Sequence, residues 1–217
     1  MSLERLRAAK ALLPPQGRVA DVGAGDGDLA RMLAADHAFS HVIATEAAEG
    51  PFARLRRACG DDRSIELRFG QGLAPLLGET LDGIAILGMG AGTILEILED
   101  HREHQGAVFV LGPMQHAPTL RRGLAASGLA IVDERLALEA GRVYELIAVR
   151  AAECPAMSWL DLQLGPVLRK RRPPGFGLLC EQRLRPLRAR LAAGRSDPGL
   201  LANIRAIEEE YDAARGT

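Results

Sequence analysis

Along the first 150 residues, short apolar runs alternate with stretches of helical periodicity. Arg18–Val22, His41–Glu46, Ile65–Phe69, Gly83–Leu87 and Ala107–Leu111 read as five strands, most of them closed by glycine or polar residues. The intervening patterns predict helices over Leu29–Ala35, Pro51–Cys59, Thr93–Asp100 and Pro118–Ser127. Pro51 and Pro118 suit a first helical turn, where the missing N–H has no intrahelical partner to lose. Strands that alternate with helices predict crossover connections and a mainly parallel sheet.

After Ser127 the pattern changes. Leu129–Leu138 and Val143–Val149 are two apolar strands joined by Glu139-Ala-Gly141-Arg142. So short a link cannot hold a crossover helix, so this last pair must be antiparallel. Five alternating units followed by an antiparallel hairpin match the topology of a class I methyltransferase sheet. The fold expected is α/β and Rossmann-like, with that hairpin at its end.

Beyond Arg150 no strand is expected. Met157–Arg172 reads as a helix, Arg172-Pro-Pro-Gly175 as a break, and Leu178–Ala193 as a second helix in which Pro186 should interrupt, kink or restart the run. Ser196-Asp197-Pro198 supplies a cap and a first-turn proline for a last helix carrying Leu200, Leu201, Ile204, Ile207 and Tyr211. Two apolar stripes joined by a short loop predict an antiparallel helical hairpin, or coiled coil. The expected division is residues 1–153 as one domain and 154–217 as a helical domain.

Composition narrows this picture. The 217 residues are 47% hydrophobic and 25% charged, as in a soluble globular chain. No apolar run approaches the roughly 20 residues of a membrane span. Cys59, Cys154 and Cys180 are odd in number and scattered, with no metal-ligand spacing. They predict reduced thiols, no metal and a cytoplasmic location. A monomer is expected. The net charge of −1 hides an asymmetry, since residues 151–217 hold 11 Lys+Arg against 8 Asp+Glu. Glu181 is the single acid between Arg169 and Arg195, which makes this stretch a candidate phosphate-binding face.

The candidate chemistry begins at Asp21-Val-Gly23-Ala-Gly25-Asp26-Gly27-Asp28, where the first strand runs through three alternating glycines into a helix. Glu46 closes the second strand. This is the layout of a nucleotide-type cofactor site at the carboxyl edge of a parallel sheet. The spacing is not the dinucleotide one, and a pyrophosphate would face Asp26 and Asp28. A cationic or zwitterionic cofactor is favoured. S-adenosylmethionine, a sulfonium cation with an amino acid and no phosphate, meets that condition.

The order and spacing of Ala20-Asp21-Val-Gly23, Gly50-Pro51-Phe52, Gly70-Gln71-Gly72-Leu73, Leu87-Gly88-Met89-Gly90, Gly112-Pro113-x-x-His116, Arg121, Val143-Tyr144-Glu145 and Leu164-Gly165-Pro166 resemble the bacterial tRNA (adenine-22-N1)-methyltransferase family over nearly the whole chain. The resemblance implies S-adenosylmethionine as cofactor, held by Asp21, Gly23, Gly25, Glu46, Ala47, Gln71, Gly72, Leu87 and Gly88. Glu46 would accept from the ribose hydroxyls, and Gln71, where the family usually has Asp, would meet the adenine edge. It implies tRNA as partner, with catalytic positions at Asp26, Gly88, Met89 and Gly90. Substrate contacts would come from His116, Arg121, Arg169, Lys170, Arg171, Arg172, Arg183 and Arg188. The family's first loop resembles Ser-Asp-His-Ala-Tyr-Leu-Pro, whereas here it reads Ala24-Gly25-Asp26-Gly27-Asp28-Leu29-Ala30; the family's Gln-Pro-Asn reads Gly112-Pro113-Met114. The function expected is methyl transfer to N1 of a tRNA adenine. A methyltransferase acting on another RNA or a small molecule, and a non-catalytic tRNA-binding protein, are the alternatives.

Overall fold

The computed structural model describes residues 1–195 and 197–215. Helix α1 (Leu3–Lys10) precedes β1 (Gly17–Val22), α2 (Asp28–Ala34), β2 (Phe39–Glu46), α3 (Glu49–Cys59), β3 (Ile65–Phe69), β4 (Gly83–Leu87), α4 (Ala91–Ile97), β5 (Val108–Gly112), α5 (Ala117–Ala126), β6 (Leu129–Glu139) and β7 (Arg142–Ala151). The strands form one sheet in the order β3-β2-β1-β4-β5-β7-β6. Strands β1–β5 pair in parallel, whereas β7 runs antiparallel to both β5 and β6. The expected topology is therefore present, and the chain order reverses between β1 and β4, where an open sheet leaves a crevice.

The β4 run is apolar throughout because both faces of the sheet are covered. Ala85 and Leu87 pack on the side of α1, α2 and α3, with Leu6, Ala9, Leu29 and Leu55. Ile84 and Ile86 pack on the opposite side, with Ile94, Leu120 and Leu124 from α4 and α5. Helix α1 adds an element ahead of the pattern read above, which began at the first strand. Its Ser2 side chain caps the helix by accepting from the Arg5 N–H (3.4 Å). Its Leu6 and Ala9 are buried.

Four further helices follow: α6 (Trp159–Leu164), α7 (Pro166–Arg171), α8 (Phe176–Ala192) and α9 (Pro198–Arg215). Two expectations change here. The single helix expected over Met157–Arg172 is broken at Gly165, whose φ of +84° an ordinary residue rarely adopts. A Cβ at Gly165 would also lie 2.6 Å from the Glu134 carboxylate. Conversely, Pro186 lies inside a continuous α8. It is exposed, so the carbonyl it leaves unbonded can meet water. Meanwhile Leu184, Leu187 and Leu191 pack in the same cluster as Leu200, Ile204 and Ile207 of α9. The two helices are antiparallel: the Tyr211 hydroxyl donates to Glu181 (2.9 Å) and Arg188 meets Glu208 (2.8 Å). Ser196, read as a cap, lies outside the described residues; Asp197 accepts the Leu200 N–H (2.7 Å) at the start of α9.

These helices seat on the β6–β7 hairpin, where Leu136 and Val143 join their core. Beneath the seat lies a charged cluster. Arg121 on α5 is fully buried and donates through Nε to Glu134 (2.9 Å) and through Nη2 to Glu145 (2.7 Å). Its Nη1 reaches the Leu162 carbonyl (3.2 Å), while Glu134 accepts the Val167 N–H (2.8 Å). Arg183 of α8 completes the cluster on Glu145.

Candidate functional site

The carboxyl ends of β1, β2 and β4 open onto a cleft of about 460 Å³. Gly23, Glu46, Ala47, Gln71, Gly72 and Met89 line it together. Positive φ at Gly23 (+71°) and Gly72 (+56°) lets the backbone turn where a side chain would be strained. A Cβ on Gly23 would approach the Met89 Cε to 2.1 Å. Gly23→Ala is expected to cost about 1–3 kcal/mol of stability from backbone strain and to push Met89 off the cleft wall, which a denaturant midpoint and a cofactor titration would read separately.

Glu46 is fixed from one side only. Its Oε1 accepts the Gly25 N–H (2.7 Å), which ties the glycine loop to the end of β2. Gly25 thus acts through Glu46 and is not itself on the cleft wall. Thr45, which the sequence reading passed over, contributes a buried hydroxyl with no hydrogen-bond partner among the described residues. A buried hydroxyl of this kind is costly unless a ligand completes it. Its signal in the sequence was adjacency to Glu46. Glu96 and Asp100 line the same wall, and no Lys or Arg does.

Asp21 lies beneath the loop, 3% exposed. Burial pushes its carboxyl up to about 7; the Ala30 backbone opposes this, and Glu46 and Asp28 add to it. Between pH 4 and 7 the folded state therefore holds a proton that the unfolded chain has lost, so stability falls as pH rises through that window. Asp21→Asn is expected to raise the Tm of the ligand-free protein at pH 8, by the equivalent of up to about 4 kcal/mol. Its advantage should vanish near pH 4; an equal effect at both values would refute the assignment.

Several expected site residues stand elsewhere. Asp26 is paired with Arg54 of α3 (2.9 Å), is 67% exposed and does not line the cleft. Asp28 pairs with Arg31 (2.7 Å). Leu87 and Gly88 line a small cavity with Met1 and Arg5, beside the cofactor cleft and not in it. Gly90 is the residue before α4. Met89 joins the two sides: it lines the cofactor cleft, and its carbonyl accepts the Met114 N–H (2.9 Å) from the loop after β5.

The basic candidates are also rearranged. Arg121 cannot contact a nucleic acid, because it is fully buried between Glu134 and Glu145. Arg169 pairs with Asp161 and Glu210 (both 2.6 Å), Arg172 with Glu210 (3.2 Å), and Arg188 with Glu208 (2.8 Å). Arg171 pairs with Asp133, and Arg183 with Glu145. Lys170 is exposed without an ion pair among the described residues. His116, at φ +61° before α5, opens instead onto a second cleft shared with Arg142, Arg183 and Arg185.

The model of the methyltransferase domain family matches residues 2–147. A tRNA (adenine(22)-N(1))-methyltransferase of Bacillus subtilis is 30% identical over 183 residues, covering 80% of this chain and 77% of the relative. The chain belongs to the tRNA (adenine(22)-N(1))-methyltransferase family. The Streptococcus pneumoniae protein Sp1610 in complex with S-adenosyl-L-methionine superposes with a TM-score of 0.83 at 29% identity, covering 97% of this chain and all of that one. The crystal structure of the B. subtilis m1A22 tRNA methyltransferase shares the fold, with a TM-score of 0.78 at 24% identity over 98% and 96% of the two chains. Family membership fits the cleft in hand. Three carboxylates with no cation suit a positively charged cofactor, and the orphaned Thr45 hydroxyl offers it a polar partner.

Proposed function

We propose that this protein uses S-adenosylmethionine to methylate N1 of adenine 22 in tRNA, the reaction in the name of its B. subtilis relative. The observation that carries the reading is the composition of the cleft: Glu46, Glu96 and Asp100 on its wall and no basic residue. A polyphosphate would be repelled there, whereas a sulfonium zwitterion is attracted. Bound there, S-adenosylmethionine supplies an electrophilic methyl group.

The chain's own residues do the rest. Glu46 has one carboxylate oxygen on Gly25 and the other available to ribose hydroxyls, a charge-assisted contact. Gln71 presents both a donor and an acceptor to the adenine edge. Gly88 and Met89 form the edge that meets the target base. N1 of adenine has its own lone pair, so the reaction asks for proximity and alignment and not for a strong base. That agrees with the absence of Asp26 from the cleft lining and with a thioether at Met114 where the family has a polar side chain. Residues 154–217 act in this reading as the RNA-facing helical domain, with the exposed Lys170 on its surface and the paired arginines free to exchange partners with phosphate. The protein works as a monomer in the cytoplasm, where its three unpaired cysteines stay reduced.

The test is nucleoside mass spectrometry of tRNA incubated with the protein and S-adenosylmethionine. A gain of 1-methyladenosine is expected. Methylation of other RNA or of small molecules alone would overturn the tRNA assignment, and salt-sensitive tRNA binding without any methyl transfer would overturn the enzymatic one.

A further inference from the structure

A second cleft, of about 530 Å³, opens on the other side of the Met89–Met114 hydrogen bond. Three separate elements build it. His116 comes from the start of α5, Arg142 and Tyr144 from β7, and Gln182, Arg183 and Arg185 from α8. The charge in it is unbalanced. Among the described residues Arg185 has no ion pair, and Arg142 has none either, its guanidinium lying 5.7 Å from the centroid of the Tyr144 ring. The acid on its wall, Glu145, is already held between Arg121 and Arg183. Glu139, at the hairpin turn, is turned toward Arg5 (2.8 Å). The His116 imidazole and the Gln182 amide add donors with no partner among the described residues.

We infer that this cleft binds a backbone phosphate of the substrate RNA next to the target nucleotide, through Arg142 and Arg185. The inference rests on the tRNA reading above and locates where the strand crosses from the sheet edge to the helices. Met114 borders this cleft, and its N–H bond to Met89 connects it directly to the cofactor wall. A base placed against Met89 therefore has its own sugar-phosphate chain leading toward Arg142 and Arg185. Two guanidiniums on different elements suit a phosphodiester, whose oxygens they can contact from two directions. The ring of Tyr144 is already covered by Arg5 at 4.1 Å, so the cleft reads backbone and not base. It also differs from the Arg169–Arg172 run, whose arginines are paired within the protein.

The test compares wild type, Arg142→Ala/Arg185→Ala and, as a control, Arg205→Ala on the exposed face of α9, using the full chain and tRNA. Both cleft positions are exposed, and equal thermal unfolding would establish that the double variant folds. The double variant should bind tRNA about 10-fold more weakly at low salt. Its slope of log affinity against log salt should be shallower by about 1, since one phosphate contact is lost. KM for tRNA should rise with kcat within about twofold, and affinity for S-adenosylhomocysteine should not change. Methylation by wild type with an unchanged salt slope in the double variant would overturn the cleft assignment alone. A wild-type protein that neither binds nor methylates tRNA would overturn both this and the reading beneath it.

Discussion

Arg121→Ala lowers the stability of the protein by about 3–5 kcal/mol, the range for breaking a buried ion pair from one side. For a chain of this size that corresponds to a fall in Tm of about 6–20 °C. The size follows from what remains. Glu134 and Glu145 are both buried, and Glu134 would keep only backbone N–H donors from the start of α7. Glu145 would keep Arg183. The loss should shrink at acid pH, where the stranded carboxylates take up protons. Replacing Arg121→Met together with Glu134→Gln should recover part of it, because Glu145 keeps Arg183 and no unpartnered carboxylate is then buried. Thermal unfolding at pH 5 and pH 8 checks both statements. A small, pH-independent change in Arg121→Ala would show that the cluster does not hold the helices to the hairpin.

Glu46→Ala weakens S-adenosylhomocysteine binding by about 10–100-fold and leaves tRNA binding nearly unchanged. Two charge-assisted hydrogen bonds to a ribose account for that range, at roughly 1.5–3 kcal/mol in total once solvent exchange is counted. The variant also frees the Gly25 N–H, so the glycine loop loses its tie to β2. Glu46→Gln keeps an acceptor for Gly25 and should fall between the two. Calorimetry on all three proteins reads the order directly; equal affinity for Glu46→Ala would refute the ribose role.

Most of the sheet was legible because burial on both faces leaves strands as short unbroken apolar runs. β3 and β4 begin and end where the pattern placed them, and the short Glu139–Arg142 link was enough to make the last pair antiparallel. The cofactor cleft was legible for the same topological reason, since the ends of β1, β2 and β4 must converge where the strand order reverses. What the residues could not convey was burial of charge. Arg121 was expected to contact substrate, and nothing in the pattern marked Glu134 or Glu145 as its buried partners. The register shift between Ile131 and Asp133 in β6 changes which side chains face inward, and Glu134 falls on the buried side. The same limit applied to the basic run of the C-terminal helices. A count of Lys and Arg reports charge, but Glu208 and Glu210 lie on the facing helix and neutralise much of it. At Pro186 neither the interruption nor the restart occurs, because its exposed position in α8 lets packing against α9 outweigh one missing hydrogen bond.

A methyl group on N1 blocks Watson–Crick pairing, so reverse transcription across treated tRNA locates the modified base in one step. With the protein and S-adenosylmethionine present, extension should halt at adenine 22, and the halt should disappear when that adenine is replaced by guanine. Read-through of position 22 in the treated tRNA, with the cofactor bound, would contradict the assignment.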